Sequence, residues 1–551
     1  MTTKAHLSKI MIACICLLFS VSSFAQPLEQ QIDTYISTQY TSDTPGVSVL
    51  VAKNGKAIYS NAFGIANLET GLKADPKNVF EIGSITKQFT AVAILMLVEQ
   101  GKLSVDDNIT KYIPDYPTQG KTITVHHLLN HTSGIQSYTG MARFKTLART
   151  DMTPTALIDT FKNEPMEFDP GTQFKYNNSG YILLGHIIEV ISGTSYENFI
   201  QANIFDTVGM TNSYYGSMAK LIPNRARGYS ETETGYRNAD YLSLTLPYAA
   251  GSIMSTTSDL LKWQNAISAN TLIKRNTLEN AINGSTLTSG EVISYGYGWI
   301  KGDLNGSATV EHSGGIFGYS SNGIYLPEED VYVIGLTNCD CGNVGDIVSN
   351  VAAMVIGKPF AKKEDAITLS DAQLRTWVGA YTFDGGVVRH ITLKDNQLYS
   401  QREGSTNLEI YPMTATNFIF DGGATTYDFS TENGNRMATM TANGTAMTGT
   451  EIDKAPPAER KELTLDTALL QTYIGSYELQ PGFNLVISVR DNTLYGVATG
   501  QGELELFAEA KDKFFLKAIV ANIDFTRNAE GAVESLTLFQ GGQVMLAKKT
   551  D

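Results

Sequence analysis

Near its C-terminus the chain repeats itself, and this limits the possible folds more than any other feature. Thr376-Trp377-Val378-Gly379-Ala380-Tyr381 recurs as Thr472-Tyr473-Ile474-Gly475-Ser476-Tyr477, an offset of 96 residues. At the same offset Ile391-Thr392-Leu393-Lys394 recurs as Ile487-Ser488-Val489-Arg490, and Tyr427-Asp428-Phe429-Ser430 as Ile523-Asp524-Phe525-Thr526. Three matches at one spacing mark a duplicated module. Within each copy apolar and polar residues alternate over short runs, punctuated by turn signals such as Asp395-Asn396 and Asp421-Gly422-Gly423. That is the pattern of antiparallel hairpins closing a small barrel or sandwich. The modules fall at residues 367–455 and 463–551, joined around Pro456-Pro457. Their aromatic residues alternate like a barrel interior, which argues for core over a glycan- or peptide-binding face.

The chain ahead of the repeat is a different kind of protein. Lys4 and Lys9 precede an apolar run from Ile10 to Phe19, and Ser23-Phe24-Ala25 supplies small residues at a cleavage site. Residues 1–25 therefore read as a secretory signal, with lipid attachment at Cys14 as the rival. No later run approaches the roughly 18 apolar residues of a membrane span. The mature chain is expected to be exported, to the periplasm or beyond, without stable membrane insertion. Lys+Arg 41 against Asp+Glu 56 gives a net charge of −15, which excludes non-specific attraction to nucleic acid or anionic lipid. Signal cleavage would leave Cys339 and Cys341, two positions apart, which read as free or weakly linked thiols at a strand end.

Residues 26–360 mix both hydrophobic periods. Val47 to Ala52 and Ala57 to Ala62 flank Asn54-Gly55, a strong hairpin signal. Phe89 to Val98 and Ser179 to Ile191 are apolar all round, as buried helices are. Tyr325-Leu326 and Val331 to Leu336 read as further strands. Strands at both ends with helices between predict an α/β body whose ends share one antiparallel sheet flanked by helices.

Three local patterns in this body carry chemistry. Ser84-Ile85-Thr86-Lys87 opens the first buried helix, so hydroxyl and amine share one face at i and i+3. The hydroxyl lies among unpaired helix-start N–H groups that can hold an oxyanion, and a lysine stripped of water can be a neutral base. Chance gives a chain this long about two such pairs, and Ser217/Lys220 is a second one. Tyr176-Asn177-Asn178 follows the turn Asp169-Pro170-Gly171 and precedes the second buried helix. Its phenol could relay protons if nearby cations lower its pKa, and Asn178 could hold a substrate carbonyl. Glu311-His312-Ser313-Gly314-Gly315 reads as an edge strand whose glycines admit a substrate backbone and leave the Gly315 N–H free to donate. Taken alone, each reads first as an N-cap serine, a surface turn or a glycine-rich hairpin. Their joint order is what points to one mechanism. His126, His127 and His131 have helix-face spacing for a metal, but no carboxylate partner accompanies them; neither a metal nor a cofactor is expected.

At these residues the chain resembles the penicillin-recognising serine hydrolases, in their class C β-lactamase-like branch. That branch carries Ser-x-x-Lys, Tyr-x-Asn and Lys-or-His-x-Gly in this order, here Ser84/Lys87, Tyr176/Asn178 and His312/Gly314. The stretches Leu128 to Gly134, Ala250-Gly251-Ser252 and Ser258-Asp259-Leu260 also look like the family, over roughly residues 30 to 355. The resemblance implies Ser84 as nucleophile, Lys87 as base, Tyr176 as proton relay, His312 in the third motif, and the Ser84 and Gly315 amides as oxyanion hole. Histidine rather than lysine at 312 is similar to the D-aminopeptidases, alkaline DD-peptidases and esterases of the family, so strong β-lactamase activity is not implied. The expectation is a serine hydrolase acting on a small amide or peptide, possibly D-amino-acid-containing or from the cell wall. An esterase using the same site and a penicillin or cell-wall sensor that never turns over are the alternatives.

Overall fold

The computed structural model describes residues 27–550 apart from 233–234, 404, 406, 443–444, 457–461, 481–482, 491, 499–502, 517–520 and 541–542. The signal segment, and the linker just after Pro456, therefore lie outside the described residues.

The body is built on one six-stranded antiparallel sheet. Its strands are β1 (Val47–Lys53), β2 (Lys56–Phe63), β3 (Ile300–Leu304), β4 (Ser307–Ile316), β5 (Tyr319–Leu326) and β6 (Val331–Thr337), in the order β3-β4-β5-β6-β1-β2. β1 pairs with β6 from Val47↔Thr337 to Lys53↔Val331, so the two ends of the body do meet in one sheet. Side chains alternate across β1. Val47, Val49 and Val51 face helices α1 (Leu28–Ser37) and α5 (Val344–Val355), packing with Ile32, Ile36, Ile347 and Val351. Leu50 and Ala52 face the larger core with Phe89 of α2 (Thr86–Glu99) and Trp263 of α4 (Thr257–Ser268). The Phe89 and Trp263 rings stack with centroids 4.0 Å apart.

α2 and α3 (Asn178–Ser192) are the two all-apolar segments, and both are buried along most of their length. Asn177 caps α3 through its side-chain oxygen, which takes the Gly180 N–H at 3.1 Å, and Gly193 ends it in the left-handed region at φ 71°.

One expectation needs correction. β4 is not an edge strand: β3 covers its first half, from Ser307 to Glu311. Only the segment from His312 onward runs past the end of β3 and, among the described residues, lies unpaired on that side, because β3 begins opposite Glu311.

Each tail module is a closed eight-stranded barrel, running from Gly379–Thr382 to Thr445–Ile452 and from Gly475–Gln480 to Gln543–Lys549. The duplication extends to the packing. Tyr381, Ile391, Leu398, Ile410, Phe418 and Phe429 fill the first barrel, and Tyr477, Ile487, Leu494, Leu506, Phe514 and Phe525 fill the second at the same offset. In both, the tyrosine hydroxyl donates to the main chain four residues back, Tyr381 to Trp377 at 2.9 Å and Tyr477 to Tyr473 at 2.8 Å.

Candidate active site

Ser84 lies in a 3₁₀ turn, Gly83–Ile85, that runs directly into α2. Gly83 has φ 50°, and a Cβ there would stand 2.9 Å from the Gly315 nitrogen. The residue must be glycine because the turn lies flat against β4. Gly314 is as constrained: a Cβ would meet the Ile82 carbonyl at 2.0 Å and Ser321 Oγ at 2.4 Å. Gly315 is open, with nothing within 4 Å of where a Cβ would be. These contacts set the Ser84 turn beside Gly315, and both residues line one cavity of about 370 Å³.

Lys87 is fully buried, one turn after Ser84 and in the first turn of α2. Its Nζ lies 2.8 Å from Asn178 Oδ1, 2.9 Å from the Ala250 carbonyl and 3.0 Å from Ser84 Oγ. Burial pushes its pKa well below the usual lysine range. The partners suit a neutral amine: two N–H groups donate to the two amide oxygens, and the lone pair is left to accept the Ser84 hydroxyl proton.

Tyr176 sits in the loop before α3, with Lys87 Nζ 4.8 Å from its ring centroid. Over a third of the residue is exposed, yet its ring packs against His131, Tyr295 and the Lys87 amine, and Ser84 is close enough to act on its phenol. Its pKa is raised, mainly by desolvation and against the lowering effect of Ser84. This corrects the expectation that nearby cations would lower it. Lys87 is itself depressed, so there is no strong cation to do so.

Asn178 lines the cavity, but its oxygen serves Lys87 and its Nδ2 donates to Thr139 Oγ1 at 3.1 Å. One N–H remains for a ligand.

His312 stands behind the phenol, its ring centroid 6.3 Å from that of Tyr176. Nδ1 lies 2.6 Å from the Ser313 carbonyl and Nε2 2.9 Å from Tyr295 Oη. A carbonyl only accepts, so Nδ1 carries the proton and Nε2 accepts the tyrosine hydroxyl. Burial, with Lys87 adding to it, takes the His312 pKa down to about 4. Both ring nitrogens are thus engaged by the protein.

Two neighbours escaped the sequence reading. Tyr295 ties His312 in place, and no local pattern around it signals that. His131, whose spacing reads as that of a metal ligand, instead packs its ring on Tyr176 and Tyr295 with centroids 4.3 Å and 4.6 Å away. His126 is held between Tyr297 Oη and Asn130 Nδ2, and His127 Nδ1 takes the Thr124 N–H. Among the described residues no group of His, Cys, Asp or Glu could hold a metal ion. Cys339 and Cys341, read as free or weakly linked, form a disulfide.

A sheet flanked by helices on both faces, with a buried lysine on a cavity-lining serine and a tyrosine beside them, defines the class of penicillin-recognising serine hydrolases. The chain belongs to the beta-lactamase family, whose profile matches residues 28–357; residues 459–548, the second barrel, match a domain of unknown function, DUF3471. It is 28% identical over 524 residues to penicillin-binding protein 4* of Bacillus subtilis, covering 91% of this chain and 94% of that one. It is also 28% identical to protein flp of Staphylococcus aureus over 60% of this chain and 66% of that one. Among solved structures it is similar to the octameric penicillin-binding protein homologue from Pyrococcus abyssi, with TM-score 0.54, 27% identity, and 76% and 99% of the two chains covered. The D-amino acid amidase of Ochrobactrum anthropi shares the fold at TM-score 0.53 and 23% identity, over 60% and 97%. Among the described residues no helix is long and apolar enough to cross a membrane.

Proposed function

We propose that this protein is an exported hydrolase that cleaves small amides or peptides through an acyl-enzyme at Ser84. The observation that carries the reading is Lys87, buried, with two carbonyl acceptors and its lone pair toward the serine. Ser84 Oγ bonds to the substrate carbonyl carbon as its proton passes to Lys87 Nζ, and the Ser84 and Gly315 amides hold the oxyanion. The C–N bond then breaks as the Tyr176 hydroxyl protonates the leaving nitrogen and recovers a proton from Lys87. Water adds to the acyl-enzyme, losing its proton along the same route, and the C–Oγ bond breaks as Ser84 regains one. His312 acts here as a positioning residue, through Tyr295, and not on substrate.

The D-amino acid amidase that shares the fold supports an amide substrate, and D-amino acid amides or cell-wall peptides fit the reading. Among the described residues, the cavity lining holds no Lys or Arg to receive a substrate carboxylate. The disulfide suits an oxidising compartment, consistent with a periplasmic or secreted location. A fluorophosphonate should label Ser84, and a panel of D-amino acid amides, acyl-D-Ala-D-Ala and short esters should find turnover. Ser84→Ala should lose both signals with its circular dichroism unchanged. Label on another residue, or activity surviving in Ser84→Ala, rejects the assignment. A penicillin adduct that never turns over, with no amide or ester cleaved, would make the protein a sensor instead.

A further inference from the structure

We propose that Asp340 makes this site selective for substrates carrying a protonated amine. The inference rests on Ser84 as the nucleophile and adds the charge of what is cleaved. Among the described residues, the cavity beside Ser84 is lined by aromatic, aliphatic and neutral polar groups, with Asp340, itself open to solvent, as the one charged side chain.

That carboxylate is held in place before any ligand arrives. Oδ2 accepts the Ser230 hydroxyl at 2.8 Å and the Gly318 N–H at 2.9 Å. The residue's own N–H donates to the Tyr229 carbonyl at 3.1 Å. The Cys339–Cys341 disulfide closes the chain on both sides of it, so Asp340 is the middle of a three-residue loop. Among the described residues no Lys or Arg pairs with it. Arg237 is near enough for the two charges to interact, but it places its guanidinium on Asp240 at 2.9 Å. Oδ1 takes no hydrogen bond from the described residues and is left for a ligand.

An ammonium entering a largely apolar cavity loses water and needs a counter-charge. A carboxylate fixed in advance supplies one with little further ordering. A substrate carboxylate would meet the opposite: like charge from Asp340 and, with Lys87 depressed by burial, no strong cation to offset it.

The test compares D-alanine p-nitroanilide with its N-acetyl and N-succinyl forms, which are positive, neutral and negative. The full chain should prefer the free amine over the acetylated anilide by about tenfold in kcat/KM, and cleave the succinylated one slowest. Asp340→Asn keeps an acceptor for Ser230 and Gly318, so it should fold as before. It should lose that preference through a raised KM on the free amine, with the acetylated anilide unaffected. Protection of Ser84 from a fluorophosphonate by D-alaninamide, compared with N-acetyl-D-alaninamide, gives the same readout without turnover. Equal handling of charged and acetylated forms, or equal losses on both in Asp340→Asn, overturns the proposal. Failure of the fluorophosphonate to label Ser84 would instead remove the nucleophile assignment on which it rests.

Discussion

His131 grips Tyr176 from both sides along the chain. Its carbonyl takes the Lys175 N–H at 3.0 Å, its Nδ1 takes the Asn177 N–H at 3.1 Å, and the two rings pack with centroids 4.3 Å apart. The grip has a cost. His131 adopts φ 62°, rare for a residue with a Cβ, and its buried Nε2 finds no partner among the described residues. Nδ1 accepts only while unprotonated, and burial, with Lys87 and His312 adding to it, keeps the His131 pKa well below its ordinary value. A strained residue with an orphaned donor persists where its neighbours hold it, and here the neighbour held in return is the proposed relay.

Replacing His131 with alanine should free Tyr176 to drift, lowering kcat by about 10- to 100-fold while KM changes little. Asparagine tolerates the left-handed backbone and offers an acceptor oxygen, so His131→Asn should recover part of the loss. Steady-state kinetics on an activated ester checks both variants. Equal losses in kcat for alanine and asparagine, or a loss confined to KM, would contradict the gripping role.

Ser84 and Lys87 act on one proton and should fail as a unit. Lys87→Ala is expected to lose nearly as much kcat/KM as Ser84→Ala, and the double variant no more than either. Additive losses across that cycle would mean that the two side chains contribute separately.

The adjoining glycines 314 and 315 should respond in opposite ways. A methyl at Gly314 would fall 2.0 Å from the Ile82 carbonyl, forcing β4 off the Ser84 turn. Gly314→Ala should cost about 1–3 kcal/mol of stability together with most activity. Gly315→Ala meets nothing within 4 Å, so it should fold with wild-type Tm and affect only what enters the cavity. Thermal melts of the two variants decide the point; equal destabilisation would refute it.

The parts legible in sequence are those with local or periodic causes. The 96-residue offset gave both barrels because duplicated strands keep the same inward positions, down to the Tyr381 and Tyr477 hydroxyl bonds. The apolar runs gave α2 and α3 because a helix buried all round needs no amphipathic face. Long-range relations were not legible. That β3 covers half of β4 depends on residues 300–304, whose alternation spans only five positions with Gly302 at the centre and names no partner strand. Desolvation raises the Tyr176 pKa, and burial depends on what packs around a phenol rather than on its neighbours in the chain. Nothing near Tyr295 announces that it will meet His312, 17 residues away.

The buried histidines make stability depend on pH, and the sign follows from where the protons go. His312 is held neutral down to about 4, mainly by burial, with Lys87 adding to the effect and the Ser313 carbonyl opposing it. In the unfolded chain its pKa returns to about 6.5. Between those values the unfolded chain binds a proton that the native protein does not, so this stability is complete above pH 6.5 and is lost as pH falls toward 4. For His312 the loss is on the order of 3 kcal/mol. His127, lowered to about 4 as well, acts in the same direction. Glu81, raised to about 7 by burial despite Arg225 at 2.9 Å, acts in the opposite one. Because other groups titrate in this range, the informative quantity is a difference between proteins. Scanning calorimetry at pH 7.5 and pH 4.5 should show a smaller fall in Tm for His312→Asn than for the parent chain, since asparagine has no proton to gain. An identical fall in both would mean that His312 carries no such linkage.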